Sequence, residues 1–110
     1  MSLFFSQGVG GEVVSISSAK ENSFVWYNFV RDQANTWLGA KVATTDTGSS
    51  TRTWAWEDST AWTYENWLST ASGGNAGIAN NHNCVHMQKA DTQQWDDVNC
   101  AGKKPYICKK

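Results

Sequence analysis

The chain has 110 residues, a net charge of −1, 40% apolar residues and 17% charged residues. This length predicts a single domain with its own core, and no apolar run is long enough to cross a membrane. The basic residues form no cluster larger than the pairs Lys103-Lys104 and Lys109-Lys110, which argues against a nucleic-acid partner.

The first third of the chain predicts a strand followed by a helix. Residues 12–17 are rich in branched side chains and follow a glycine turn, which favours a short strand. Ser18 with Glu21 three residues later is a capping-box pattern. Apolar residues then recur at helical spacing through residue 30, so we predict a helix that begins after Ser18 and ends before Asn35.

Tryptophans mark the elements of the middle of the chain. The apolar run of residues 37–40 predicts a buried strand, and residues 44–53, almost wholly Thr, Ser, Asp and Gly, predict a solvated loop. The segment Trp54-Ala55-Trp56 restarts a strand with both indoles on one face. Of the seven tryptophans, we expect Trp26 and Trp62 to be the exposed ones.

A long loop and a hairpin are predicted in the last third. Residues 68–83 contain no aromatic side chain and follow neither helical nor strand periodicity. Loops of this length are usually functional or disordered, and we favour function here. Cys84 and Cys100 bracket a polar turn at residues 90–93, a pattern typical of a hairpin. The chain has three cysteines, which leave an odd thiol however they pair.

Several short motifs occur in one order along about a hundred residues. Taken together they resemble the C-type lectin-like domain, because each is weak alone but their order and spacing are specific. The motifs are Gly10-Gly11 before the first strand, the helix of residues 18–30, Trp37-Leu38-Gly39, Trp54-Ala55-Trp56-Glu57-Asp58, Tyr64-Glu65-Asn66-Trp67, Cys84-Val85, Trp95-Asp96-Asp97 ahead of Cys100, and Pro105-Tyr106-Ile107-Cys108.

The resemblance implies an α+β fold over residues 1–110, with two small antiparallel sheets, one clear helix and a long projecting loop. It also implies a disulfide between Cys84 and Cys100. The family's first helix is truncated or missing, since residues 4–7 are either its tail or residues 3–5 are the first strand. Ser6 stands where the outer disulfide partner of Cys108 is expected, which leaves Cys108 able to link two chains.

In sugar-binding members of this family, a calcium ion is held by oxygens of the long loop and of an Asn-Asp pair after the tryptophan. By this resemblance the predicted calcium ligands are Asn75, Asp96 and Asp97, each of which carries a suitable oxygen. The loop lacks the proline of the family's Glu-Pro-Asn or Gln-Pro-Asp signature, and His82 stands at an acidic position of the family. The ligand set is therefore incomplete, and calcium, the one cofactor that the resemblance implies, is expected to be weakly bound, unusually coordinated or absent.

The resemblance further implies a secreted, extracellular recognition module whose leader is not present in this chain. We expect no enzymatic activity, because no nucleophile, base and orienting group stand out. The predicted function is carbohydrate binding through the long loop and the Trp-Asp-Asp strand; the alternative is a calcium-independent protein-binding domain. Asp96 and Asp97 can equally serve to cap hairpin amides. The sequence leaves the oligomeric state open, and the predicted ligand-binding residues are Asn75, Asn81, His82, Asp96 and Asp97.

Overall fold

The computed structural model describes residues 3–5, 12–45, 52–71, 73–75 and 81–109. The expectations for Ser6, for the glycine turn and for residues 76–80 of the long loop lie outside these residues. The described elements are β1 (Leu3–Phe5), β2 (Glu12–Val13), α1 (Ala19–Val25) continued by a π-helical segment (Trp26–Val30), β3 (Thr36–Trp37), β4 (Ala40–Thr45), β5 (Arg52–Trp56), a 3₁₀ turn (Ser69–Ala71), β6 (Cys84–Met87), β7 (Trp95–Val98) and β8 (Ile107–Lys109).

The strands form three small antiparallel sheets, in the orders β1-β8-β2, β3-β6-β7 and β4-β5. With the helical segment, this confirms the predicted α+β class. Residues 3–5 form a strand on β8, so the second of the two alternatives for the N-terminal segment is correct. No helix in the described ranges is long and apolar enough to span a membrane.

The helix begins where its capping box predicts. The Ser18 hydroxyl accepts a hydrogen bond from the Glu21 amide at 3.1 Å, and the helical segment ends at Val30. Its inner side buries Val25, Trp26 and Val30 in the core. The expectation that Trp26 is exposed is wrong: only 6% of it is exposed, because the turn after β6 lies over its indole, whose N–H donates to the Lys89 carbonyl at 3.2 Å.

The β4–β5 hairpin corrects the predicted loop of residues 44–53. Strand β4 continues through Thr45 and β5 already begins at Arg52, because β-branched threonines favour strands once a ladder partner is available. Along β5, Arg52, Trp54 and Trp56 are buried on one face, which confirms that the two indoles share a side. Trp62, expected to be exposed, is half-buried and stacks on Trp56 with ring centroids 4.4 Å apart.

The β6–β7 hairpin is the base of the long loop. The disulfide between Cys84 and Cys100 is confirmed, with Cα atoms 5.2 Å apart. In the hairpin register Val85 faces Asp97 and His86 faces Asp96. Since successive side chains of a strand point to opposite faces, Asp96 and Asp97 lie on opposite sides of the hairpin.

The third cysteine lies in the middle of the terminal sheet. Cys108 is on β8, the central strand, where it is paired in register with Phe4 of β1 and Val13 of β2. Only 2% of Cys108 is exposed. In this conformation its thiol is therefore out of reach of a second chain.

Candidate functional site

The long loop and the β6–β7 hairpin meet at a buried guanidinium, that of Arg52. Arg52 is the first residue of β5, and the period-two alternation of that strand places its side chain on the same buried face as Trp54 and Trp56. Its side chain is only 2% exposed. A charged group at such a depth requires partners for its N–H groups.

Oxygen atoms from the loop and the hairpin supply those partners. The Arg52 Nε donates to the Gly74 carbonyl at 2.9 Å, Nη1 donates to Asn83 Oδ1 at 2.9 Å, and Nη2 donates to Asp97 Oδ2 at 2.7 Å. The same Nη2 also donates to the His82 carbonyl, and the backbone N–H of Arg52 donates to Asn75 Oδ1 at 2.8 Å. We call this set the arginine cage: Arg52 with Gly74, Asn75, His82, Asn83 and Asp97.

Aromatic rings form one wall of the arginine cage. The Arg52 guanidinium lies over the Trp54 ring, with its carbon 4.7 Å from the ring centroid. The Gly74 carbonyl accepts from the Trp54 indole N–H at 3.2 Å as well as from Arg52. Gly74 has a φ of +86°, and a Cβ there would stand 2.4 Å from Trp54 Nε1 and 2.7 Å from Trp67 Cζ2. Only glycine brings the loop backbone this close to the indoles.

The electrostatic centre of the cage is the ion pair between Arg52 and Asp97, whose side chains are 2% and 1% exposed. Burial lowers the pKa of Arg52, and the charge of Asp97 and its hydrogen bond oppose this effect. Charge-assisted hydrogen bonds of this kind are strong where water is excluded. The Gly74, Asn83 and His82 oxygens also accept from the guanidinium, and a buried ion pair is favourable only when such further hydrogen bonds are made.

Asp96 stands outside the cage. It is half-buried on the other side of β7, and its pKa is raised by burial and by the charge of Asp97, while His82 lowers it. Its cross-strand neighbour is His86. Asp96 and Asp97, adjacent in sequence, therefore lie in separate environments.

The structure brings some of the predicted site residues together and leaves others apart. Asn75 and Asp97 join the cage through their side chains, and His82 joins it through its carbonyl. Asn81 is exposed, with a φ of +58°, and its backbone carbonyl accepts from the backbone N–H of Asn83 at 2.9 Å. The ligand-binding roles of these residues stay predictions.

Sequence reasoning missed Arg52, Gly74 and Asn83. A signal for Arg52 was present, because the alternation Arg52, Trp54, Trp56 extends the buried face of the strand by one step. The composition of residues 44–53 concealed it, since the segment reads as a polar loop. Nothing in the sequence marks Gly74 or Asn83 as partners of an arginine.

The predicted calcium ligand set does not fit this arrangement. Asp97 faces a guanidinium nitrogen at 2.7 Å, and Asn75 Oδ1 already accepts from the Arg52 amide. Asp96 projects from the opposite face of β7. A divalent ion at Asp97 would also stand beside the positive charge of Arg52. Within the part of the chain that the structure describes, no group of three or more His, Cys, Asp or Glu can hold a metal.

Comparison with known proteins agrees with the fold. The family model described as "Lectin C-type domain" matches residues 5–110. A snaclec coagulation factor IX-binding protein of Protobothrops flavoviridis is 28% identical over 107 residues, covering 93% of this chain and 74% of the relative. The chain spans 51% and 63% of the length of two other curated relatives, a pancreatic beta cell growth factor of Mesocricetus auratus and snaclec 3 of Sistrurus catenatus edwardsii.

Solved structures show the same architecture. Human lithostathine superposes with a TM-score of 0.71 at 25% identity, covering 89% of this chain and 71% of that one. A calcium-independent type II antifreeze protein superposes with a TM-score of 0.69 at 23% identity, covering 89% of this chain and 66% of that one. The family match over nearly the whole chain, together with this fold, shows that the protein belongs to the C-type lectin domain family.

Proposed function

We propose that this protein is a non-enzymatic, extracellular recognition module that binds carbohydrate through the outer side of its long loop without calcium. The observation that carries this proposal is the arginine cage, which joins the loop to β7 with protein groups alone. A binding loop that is already held in one arrangement loses less conformational freedom when its ligand arrives.

The side chains around the cage suit a hydroxyl-rich ligand. Asn81 and Asn83 are exposed, while His82 and Asp96 are half-buried. Asn83 uses its side-chain oxygen on Arg52 and keeps two amide N–H donors, and the Asp96 carboxylate is an acceptor. Sugar hydroxyls both donate and accept hydrogen bonds, so exposed amide groups and a carboxylate at this end of the domain can bind them directly.

An extracellular location is part of the proposal. It is supported by the Cys84–Cys100 disulfide, because such bonds persist mainly in oxidising compartments. The absence of a catalytic role follows the character of the family, whose matching domain is a binding domain.

A protein ligand is the second candidate. It is supported by the relative from Protobothrops flavoviridis, whose name states that it binds coagulation factor IX. Against it, the described loop residues 73–75 and 81–83 carry no Trp, Tyr or Arg, the residue types that dominate protein-binding hot spots. We therefore place carbohydrate first.

A glycan array in calcium and in chelator tests the proposal. We expect the protein to bind at least one glycan equally in both conditions, and Asp96→Ala to weaken that binding about tenfold through loss of a charged hydrogen-bond acceptor. Asp32→Ala is the matched control, because it also removes a carboxylate, one that is exposed and forms a surface ion pair with Arg31. Binding only in calcium would contradict calcium independence, and no glycan binding in either condition would favour the protein ligand.

A further inference from the structure

The arginine cage collects oxygen atoms around one cation. The Arg52 side chain donates to two backbone carbonyls, those of Gly74 and His82, to the Asn83 amide oxygen and to the Asp97 carboxylate. A fifth oxygen, Asn75 Oδ1, accepts from the Arg52 backbone N–H and not from the guanidinium. All five are uncharged or anionic oxygens, and no nitrogen or sulfur acceptor is among these contacts.

We infer that the Arg52 guanidinium is a built-in cation that occupies a cation site, and that removing this side chain turns the arginine cage into a calcium site. The inference is independent of the proposed carbohydrate ligand, because it concerns what holds the loop. It makes Arg52 the residue that determines whether this domain responds to calcium.

The chemistry of the donors supports the exchange of one cation for another. Calcium binds six to eight oxygen ligands from carboxylates, amides, backbone carbonyls and water. Removal of the guanidinium would free one carboxylate, one side-chain amide oxygen and two backbone carbonyls, and water would complete the coordination. The carboxylate of Asp97 is essential, because it is the anion of the set.

The charge balance explains why both cations cannot be present. Asp97 and Arg52 form a buried pair of net charge zero. A calcium ion beside that pair would be repelled by the guanidinium and would have to separate it from Asp97. The protein with Arg52 intact is therefore expected not to bind calcium at this site.

Four proteins test the inference by thermal unfolding in chelator, in millimolar calcium and in millimolar magnesium. The original protein should melt at the same temperature in all three conditions. Arg52→Ala should melt lower, or be unfolded, in chelator, and calcium should raise its melting temperature or refold it. Magnesium should do so less, because it gives up its water reluctantly.

Two further variants isolate the cage. Arg52→Met fills the same space with an apolar side chain, so it should be destabilised and calcium should not rescue it. Arg52→Ala combined with Asp97→Asn keeps the cavity but removes the anion, so its rescue by calcium should fall at least about tenfold in affinity. Terbium gives a second readout that does not depend on stability, since Trp54 lies against the cage and can sensitise its luminescence in Arg52→Ala.

The outcomes separate cleanly. Calcium rescue and terbium luminescence in Arg52→Ala, both lost with Asp97→Asn, support the inference. It is overturned if calcium stabilises the original protein, if calcium neither raises the melting temperature of Arg52→Ala nor refolds it, or if calcium rescues Arg52→Met as well. None of these results depends on glycan binding, so failure here is distinguishable from failure of the proposed function.

Discussion

The two faces of the β6–β7 hairpin deal with a buried ionisable group in opposite ways. On one face Asp97 is charged and paired with Arg52, inside a cage that satisfies the guanidinium. On the other face His86, cross-strand from Asp96, is 6% exposed, and among the described residues neither of its ring nitrogens has a hydrogen-bond partner.

The surroundings of His86 keep it neutral. Burial lowers its pKa to about 4, and the positive charge of Lys104 adds to this effect. Lys104 lies over the Trp37 ring, 4.2 Å from its centroid, and Trp37 pairs with His86 in the sheet. The comparison teaches that burial in this hairpin favours charge only where an opposite charge and enough acceptors are supplied.

The largest expected effect comes from breaking the cage. Arg52→Met leaves Asp97 as a buried, uncompensated carboxylate, so we expect the free energy of unfolding to fall by about 3–5 kcal/mol in urea denaturation. Arg31→Met is the matched control, because the Arg31–Asp32 pair lies on the surface with side chains 48% and 77% exposed. Its effect should stay below about 1 kcal/mol. Equal effects of the two variants would contradict the role given to the cage.

Removing the Cys84–Cys100 disulfide should destabilise both faces of the hairpin together. Replacing Cys84 and Cys100 by alanine should lower the free energy of unfolding by about 3 kcal/mol, because the unfolded chain regains the freedom of the loop that the disulfide closes. Denaturation with and without a reductant is the measurement. Reductant should destabilise the original protein and leave the double variant unchanged. A reductant effect on the double variant would place the sensitivity elsewhere.

Acid should destabilise the face of the β6–β7 hairpin that carries His86. His86 must stay neutral when folded, with a pKa of about 4, but takes up a proton near pH 6.5 when unfolded. The unfolded state therefore binds more protons between these values. Stability should fall as pH drops from 6.5 to 4, by about 3 kcal/mol in total, and the His86 contribution should level off below pH 4.

His86→Leu isolates this effect in the same titration of unfolding free energy. The variant should lose that part of the acid sensitivity, whereas His82→Gln should keep it. The raised pKa of Asp96 works in the opposite direction, since it favours the folded state in acid. If the unfolding free energy of His86→Leu depended on pH as that of the original protein does, the histidine would not be held neutral by the fold.

A smaller effect tests how closely Gly74 approaches the indoles beside the cage. Gly74→Ala combines a positive φ with a collision against the indoles of Trp54 and Trp67, and we expect it to cost about 2–3 kcal/mol. Gly73→Ala has a positive φ, but among the described residues no side-chain atom is closer than 4.0 Å to the added Cβ, so about 1 kcal/mol is expected. Comparing their melting temperatures separates collision from backbone strain, and equal losses would exclude the collision.

Features set by residues close together in the sequence, or by an ordered set of motifs, could be predicted, whereas contacts between residues far apart in the sequence could not. The Ser18 cap, the paired indoles of Trp54 and Trp56, and the Cys84–Cys100 bridge were predicted because each depends on spacing within a short segment or on an ordered set of motifs. Arg52 was missed because its acceptors come from residues 22 to 45 positions away. Composition marked its segment as a loop, and no local pattern states which carbonyls a buried arginine will find.

The same limit applies to the two aspartates. Sequence placed Asp96 and Asp97 together as metal ligands, as the resemblance implied. The pleat of β7 separates them, and the guanidinium of Arg52 takes up the one that is buried. The position of a competing cation is a property of the tertiary structure, so it could not be read from the Trp-Asp-Asp motif.

The central claim is that Arg52, and not calcium, holds the long loop on the hairpin. The most direct test is the melting temperature of the unaltered protein in millimolar calcium and in chelator. A ligand bound only by the folded state raises stability by about 2.7 kcal/mol at one hundred times its dissociation constant. We predict the same melting temperature in both conditions, and a clear rise in calcium would contradict the account.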